Sequence, residues 1–131
     1  MSTRISAKVI ALGFAAGFAA GAIYSLVVGL VRLAMSSKDL LDPAFVAVNL
    51  VGALGTSVVA GYVAARFAPG AEVENSVAVG AVVVLLSAIA YVPFGMDRYP
   101  AWYNIPAFLL TIPFCILGGI IRRNGAPRDA A

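Results

Sequence analysis

Hydrophobic and polar positions alternate along this chain in long blocks rather than at short periods. Four runs carry no charged residue: 9–31, 44–65, 76–96 and 99–121. As α-helices each run extends about 30–35 Å, which matches a hydrocarbon core of about 30 Å. The pattern predicts an all-α polytopic membrane protein, a bundle of four transmembrane helices with spans at about 9–31, 44–65, 76–96 and 101–121.

Punctuation at the run boundaries sharpens these elements. Asp42 followed by Pro43 is an N-cap with proline at the first helical position, so the second helix starts there. Glu72, Glu74 and Asn75 precede the third run, with Asn75 the cap candidate and the acids at the positive dipole end. The fourth helix has two candidate starts, one at Pro100 and one with Asn104 as a cap before Pro106. Pro93 and Pro113 lack the N–H that would bond the carbonyls of Ile89 and Leu109, so each is expected to kink its helix.

Composition agrees with the blocks and bounds the domain count. The 131 residues are 62% hydrophobic and 11% charged, with a mean hydropathy of +0.97, too few charges to cover a soluble core of this length. They form one transmembrane domain spanning 1–131. The basic start at Arg4 and Lys8 resembles a signal peptide, but the apolar run that follows is too long for one, so a retained helix is expected.

The net charge of +3 does not signal nucleic-acid binding, because the basic residues sit at helix ends and are not gathered on one face or arm. Arg4, Lys8, Arg66, Arg122, Arg123 and Arg128 fall on one side of a four-span topology, against Arg32, Lys38 and Arg98 on the other. That excess predicts both termini cytoplasmic. Tyr91, Tyr99, Trp102 and Tyr103 then gather at the outer boundary as interfacial anchors. The outer loop, 93–103, also offers Arg98 for stacking on Trp102 or Tyr103.

Within the first run, Gly13, Gly17, Gly21, Ser25 and Gly29 recur every fourth residue, a glycine-zipper pattern. Such a ladder clears one ridge of a helix, so a second backbone approaches closely in lipid. Related but weaker ladders follow at Asn49, Ala53, Ser57, Gly61 and Ala65, and at Ala107, Thr111, Cys115 and Gly119. These give the first helix partners within its own chain, with a homo-oligomer or another membrane protein as the outside alternative. Asn49 is expected to hydrogen-bond across helices.

Catalytic chemistry is thin. The chain has no histidine and one cysteine, which argues against a structural zinc or a histidine-ligated haem, and no metal site or cofactor is expected. Asp39 and Asp42 are near in sequence but lack a catalytic companion, and no Asp, Glu, Lys, Arg or His lies deep in a span, where pumps and voltage sensors need one. Cys115 sits mid-span and behaves as a small hydrophobe. The expected function is therefore non-enzymatic: an accessory, scaffold, assembly or self-associating component of a membrane complex. The alternative is a small oligomeric channel or exporter for an ion or neutral solute, built around kinked helices.

The segment from Gly61 through Tyr62, Arg66 and Phe67 to Pro69, with Pro113, Gly118, Gly119, Arg122 and Arg123 later, resembles small four-span bacterial inner-membrane proteins. That resemblance implies a multi-pass inner-membrane location and brings no activity with it. Val48-Asn49-Leu50-Val51-Gly52 resembles the asparagine-bearing second helix of the small fluoride channels, which also have four spans. Their phenylalanine- and threonine-rich break in helix 3 is replaced here by Val82-Val83-Val84-Leu85-Leu86-Ser87, and Tyr24 and Ser25 follow the first glycines where an arginine is expected. The fluoride pore loses its key residues.

Overall fold

The computed structural model describes residues 4–35, 42–94 and 96–127; Lys38, Asp39, Gly95 and Arg128 lie outside them. The described residues form helices throughout: α1 (Ala7–Ala34), α2 (Pro43–Arg66), α3 (Glu72–Tyr91), a 3-10 turn over Met96–Arg98, α4 (Ala101–Leu109) and α5 (Thr111–Gly125). α1, α2 and α3 are each long and apolar enough to cross a membrane. α4 and α5 meet at a 43° bend and pass the same test only as a pair, giving three spans, or four if the pair is one.

Local chemistry explains most boundaries. Asp42 caps α2, its carboxylate accepting from the Ala44 N–H at 3.0 Å, with Pro43 at the first position. The α2–α3 connection turns through Gly70, whose φ of 81° lies in the left-handed region that disfavours a Cβ. α3 starts four residues before the expected span, at Glu72, so Glu74 occupies its first turn and Asn75 is not a cap. At the other end α3 stops at Tyr91, and Pro93 lies two residues beyond it. Pro93 therefore kinks no helix; Val92 keeps α-region geometry and bonds the Ala88 carbonyl, and Pro93, with no N–H for the Ile89 carbonyl, ends the ladder there.

The fourth run also differs from expectation. Pro100 is the N-cap of α4 and Asn104 sits inside the helix, so the second candidate start does not apply. The interruption falls at Leu110, ahead of Pro113, which is the third residue of α5. A proline ring clashes with the carbonyl four residues before it, here Leu109, so the helix breaks one turn upstream. The Leu110 N–H still bonds the Pro106 carbonyl at 2.9 Å, and the Phe114 N–H bonds the Leu110 carbonyl at 2.9 Å, so the two helices remain stitched end to end.

α2 lies at the centre, packed against α1, α3 and α5, while α3 also touches α1 and α5. The core is small and sits towards one end, formed by Val9, Ala60, Ala64, Ala68, Val79 and Cys115, with Ile10 and Phe14 against it. Apart from Val9 and Val79 these side chains are small, so the core gains its contacts from close backbone approach rather than bulk. Elsewhere large apolar residues face outward, including Phe18, Ile23, Leu26, Leu30, Leu85 and Ile89, as a lipid-facing surface requires.

Candidate functional site: a polar-lined cleft above a close-packed base

At the core end the backbones come nearest. A Cβ at Gly61 would overlap the Cys115 carbonyl of α5, and one at Gly118 would overlap the Val58 carbonyl of α2. Gly119 lies against Ser76, whose hydroxyl sits 2.9 Å from the Gly61 carbonyl and 2.8 Å from the Glu72 carbonyl. The tightest packing is thus the α2–α5 contact, not the first-helix ladder.

The ladder itself is used unevenly. A Cβ at Gly13 would come within 2.8 Å of the Ala60 carbonyl, and one at Gly17 within 2.8 Å of the Ala60 Cβ. At Gly21 the nearest atom is 3.6 Å away, on Thr56, and at Gly29 nothing lies within 4 Å. Ser25 is exposed. Along this ridge the α1 backbone therefore draws away from α2, while Tyr24 fills the space over Gly52 and Arg32 still reaches Phe45. The partner ridge of α1 is Thr56, Ala60 and Ala64, one row away from the expected row through Ser57 and Gly61, and Gly61 faces α5 instead.

Asn75 locks the same end. Buried completely, its Oδ1 accepts from the Ser6 N–H at 3.0 Å, and its Nδ2 donates to the Arg4 carbonyl at 2.9 Å and the Ala71 carbonyl at 2.9 Å. One amide thereby fastens the start of α1 to the start of α3. Arg4 adds an exposed ion pair with Glu74 at 3.7 Å, which contributes little in water.

Where α1 diverges, a cleft opens with three lobes that share Thr56. The first, about 530 Å³, lies between α1, α2 and α3 and is walled by Phe14, Phe18, Val83 and Leu86. The second, about 440 Å³, reaches the α4–α5 break and is lined by Ser57, Ser87, Tyr91, Asn104 and Thr111. The third, about 230 Å³, is bounded by Tyr24, Ser25, Asn49, Tyr99 and Tyr103. No charged side chain lines any lobe.

Hydrogen bonds fix the polar lining. Thr56 and Ser57 both donate to the Ala53 carbonyl, at 2.8 and 2.9 Å, and Thr111 donates to the Ala107 carbonyl. The Tyr91 hydroxyl donates to Asn104 Oδ1 at 3.0 Å, and Asn104 Nδ2 donates to the Tyr99 carbonyl at 3.0 Å. Asn49, expected to bridge helices, is half-buried in the third lobe; the α1–α2 bond at this level runs from the Tyr24 hydroxyl to the Val48 carbonyl at 2.6 Å.

The four aromatic residues named as interfacial anchors divide. Tyr99 stacks on Tyr103 with centroids 4.7 Å apart, and Tyr91 lies 6.2 Å from Tyr99 and 6.1 Å from Phe108, so these three brace α3 against α4. Trp102 is exposed, as an anchor would be. Arg98 is exposed; the cation–π contact between described residues places Arg32 5.0 Å from the Phe45 ring centroid instead.

Sequence reasoning missed Asn75, Asn104, Tyr24 and Gly118 as organising residues. Asn75 and Asn104 had a signal, being amides just before and within apolar runs, but a helix-cap role absorbed it. No family model matches the chain, and neither a curated protein nor a solved structure matches it.

Proposed function

We propose that the chain is a non-enzymatic integral protein of a bacterial inner membrane, crossing it four times with both termini cytoplasmic. Its role in this reading is that of an accessory, scaffold or assembly component. The observation that carries it is the contrast between a base sealed by backbone contacts and a small-residue ridge on α1 that outruns its partner at Ser25 and Gly29. Small residues without an internal neighbour suit the approach of another helix in lipid.

Four crossings are supported by the course of α5. Gly119 lies beside Ser76 and Glu72 at the start of α3, while Asn104 of α4 lies beside Tyr91 at its end. The bent pair thus runs the length of α3, and its arginines, Arg122 and Arg123, arrive at the end that carries Arg4 and Arg66. The lack of catalytic groups rests on the sequence, which has no histidine and no Asp, Glu, Lys or Arg deep in a span.

The break at Leu110 beside the cleft favours a second reading, a small oligomeric channel or exporter, since interrupted helices often frame solute sites. The packed base argues against a path through one chain. Affinity capture in mild detergent with mass determination, together with solute flux in liposomes, separates the two. A defined complex without flux is expected; flux through liposomes holding this protein alone overturns the assembly reading.

A further inference from the structure

Part of the cleft lining has a fixed hydrogen-bonding sense. The protons of Thr56, Ser57 and Thr111 go to carbonyls of their own helices, and those of Tyr24 and Tyr91 go to Val48 and Asn104. A hydroxyl that donates keeps its lone pairs, so these five oxygens offer the cleft acceptors, while Ser87, Asn49 and Tyr103 in the same lining carry protons that a ligand can accept. Around them the walls are apolar, with Phe14, Phe18, Val83 and Leu86 in the largest lobe.

The mouth of that lobe opens sideways. Phe18 is 71% exposed and Leu86 43%, with Ala22 and Ala90 exposed between them, so the opening lies on the α1–α3 flank within the apolar segments. A molecule entering there comes from the hydrocarbon phase if these segments span the membrane, as proposed above. A second copy of this chain is a poor occupant. Its exposed α1 flank is mostly bulky and apolar, with Phe18, Ile23, Leu26, Val27 and Leu30 around the one hydroxyl of Ser25, and its helical N–H groups are already bonded.

The geometry points to this cleft as a binding site for an uncharged membrane amphiphile whose head group is a hydroxyl, which both donates to and accepts from this lining. The head reaches the acceptors around Thr56, Ser57 and Thr111, and the tail leaves between Phe18 and Leu86. A charged head finds no counter-ion in the lining, and a head without a donor leaves the acceptors unpaired.

Native mass spectrometry of the full chain released from nanodiscs tests this with three lipids: a diacylglycerol, its 3-O-acetyl derivative and a phosphatidic acid of the same chains. One bound diacylglycerol per chain is expected, with the other two bound at least about tenfold more weakly. Thr56→Val with Ser57→Ala, which preserves shape while removing two acceptors, lowers diacylglycerol binding by about tenfold. Ser87→Leu, which fills the cleft, abolishes it. All variants must elute as the parent does on gel filtration. Equal binding of the three lipids, unchanged binding by the variants, or a dimer with no lipid bound overturns the proposal. Resistance of the same membranes to alkaline extraction keeps the spanning reading intact in that event, whereas extraction of the protein removes the spanning reading itself.

Discussion

Single residues decide how near the helices come. The Cβ of Gly118→Ala meets the Val58 carbonyl and the Tyr62 N–H, backbone atoms that cannot rotate aside, so the variant should lose about 1–3 kcal/mol or fail to fold. Gly29→Leu should leave the fold intact, since nothing lies within 4 Å of its site, and weaken any assembly formed through α1. Thermal unfolding in detergent and gel filtration read both; a destabilised Gly29→Leu or a fully stable Gly118→Ala contradicts the packing described. Asn75→Ala should cost about 1–3 kcal/mol by leaving the Ser6 N–H without its partner, seen as faster hydrogen exchange in the first turn of α1. The ladder was legible at Gly13 and Gly17 because a repeated spacing is local information. Its neighbour was not, because two ridges of α2 one row apart both carry small residues, and only the three-dimensional arrangement assigns Ala60 to α1 and Gly61 to α5.

At the scale of elements, caps and breaks follow from a few side chains whose effects act over one turn. Asp42 with Pro43 was legible for that reason: the motif completes itself within three residues. Pro93 was misread because a proline near the end of an apolar run equally ends a helix or bends it. Here it ends α3, and Tyr91 at that boundary contacts Asn104, Tyr99 and Phe108 of the next run. The α4–α5 bend has a removable cause. Pro113→Ala restores a donor for the Leu109 carbonyl and should reduce the 43° bend, read as a longer spin-label distance between Trp102→Cys and Ile121→Cys on a Cys115→Ala background. An unchanged distance would assign the bend to the packing of Gly118 and Cys115 on α2.

Across the whole molecule, the blocks of hydropathy specify that helices form and about where, but not their ends: α3 runs from Glu72 to Tyr91 and the fourth run breaks at Leu110. They do not specify where those helices touch. A base held by glycines, Ser76 and Asn75 and a cleft lined by uncharged oxygens arise from one divergence, that of α1 from α2 beyond Gly17. The orientation of α4 and α5 matters most for the account, because a bent pair that spans places the C-terminus beside the N-terminus, and a re-entrant pair places it opposite. Single cysteines at Ile5 and Asn124, each on a Cys115→Ala background, labelled in intact cells by a membrane-impermeant maleimide, read this directly. Both positions should resist labelling until the membrane is permeabilised; labelling of Asn124→Cys but not Ile5→Cys in intact cells would contradict a four-span bundle with both ends in the cytoplasm.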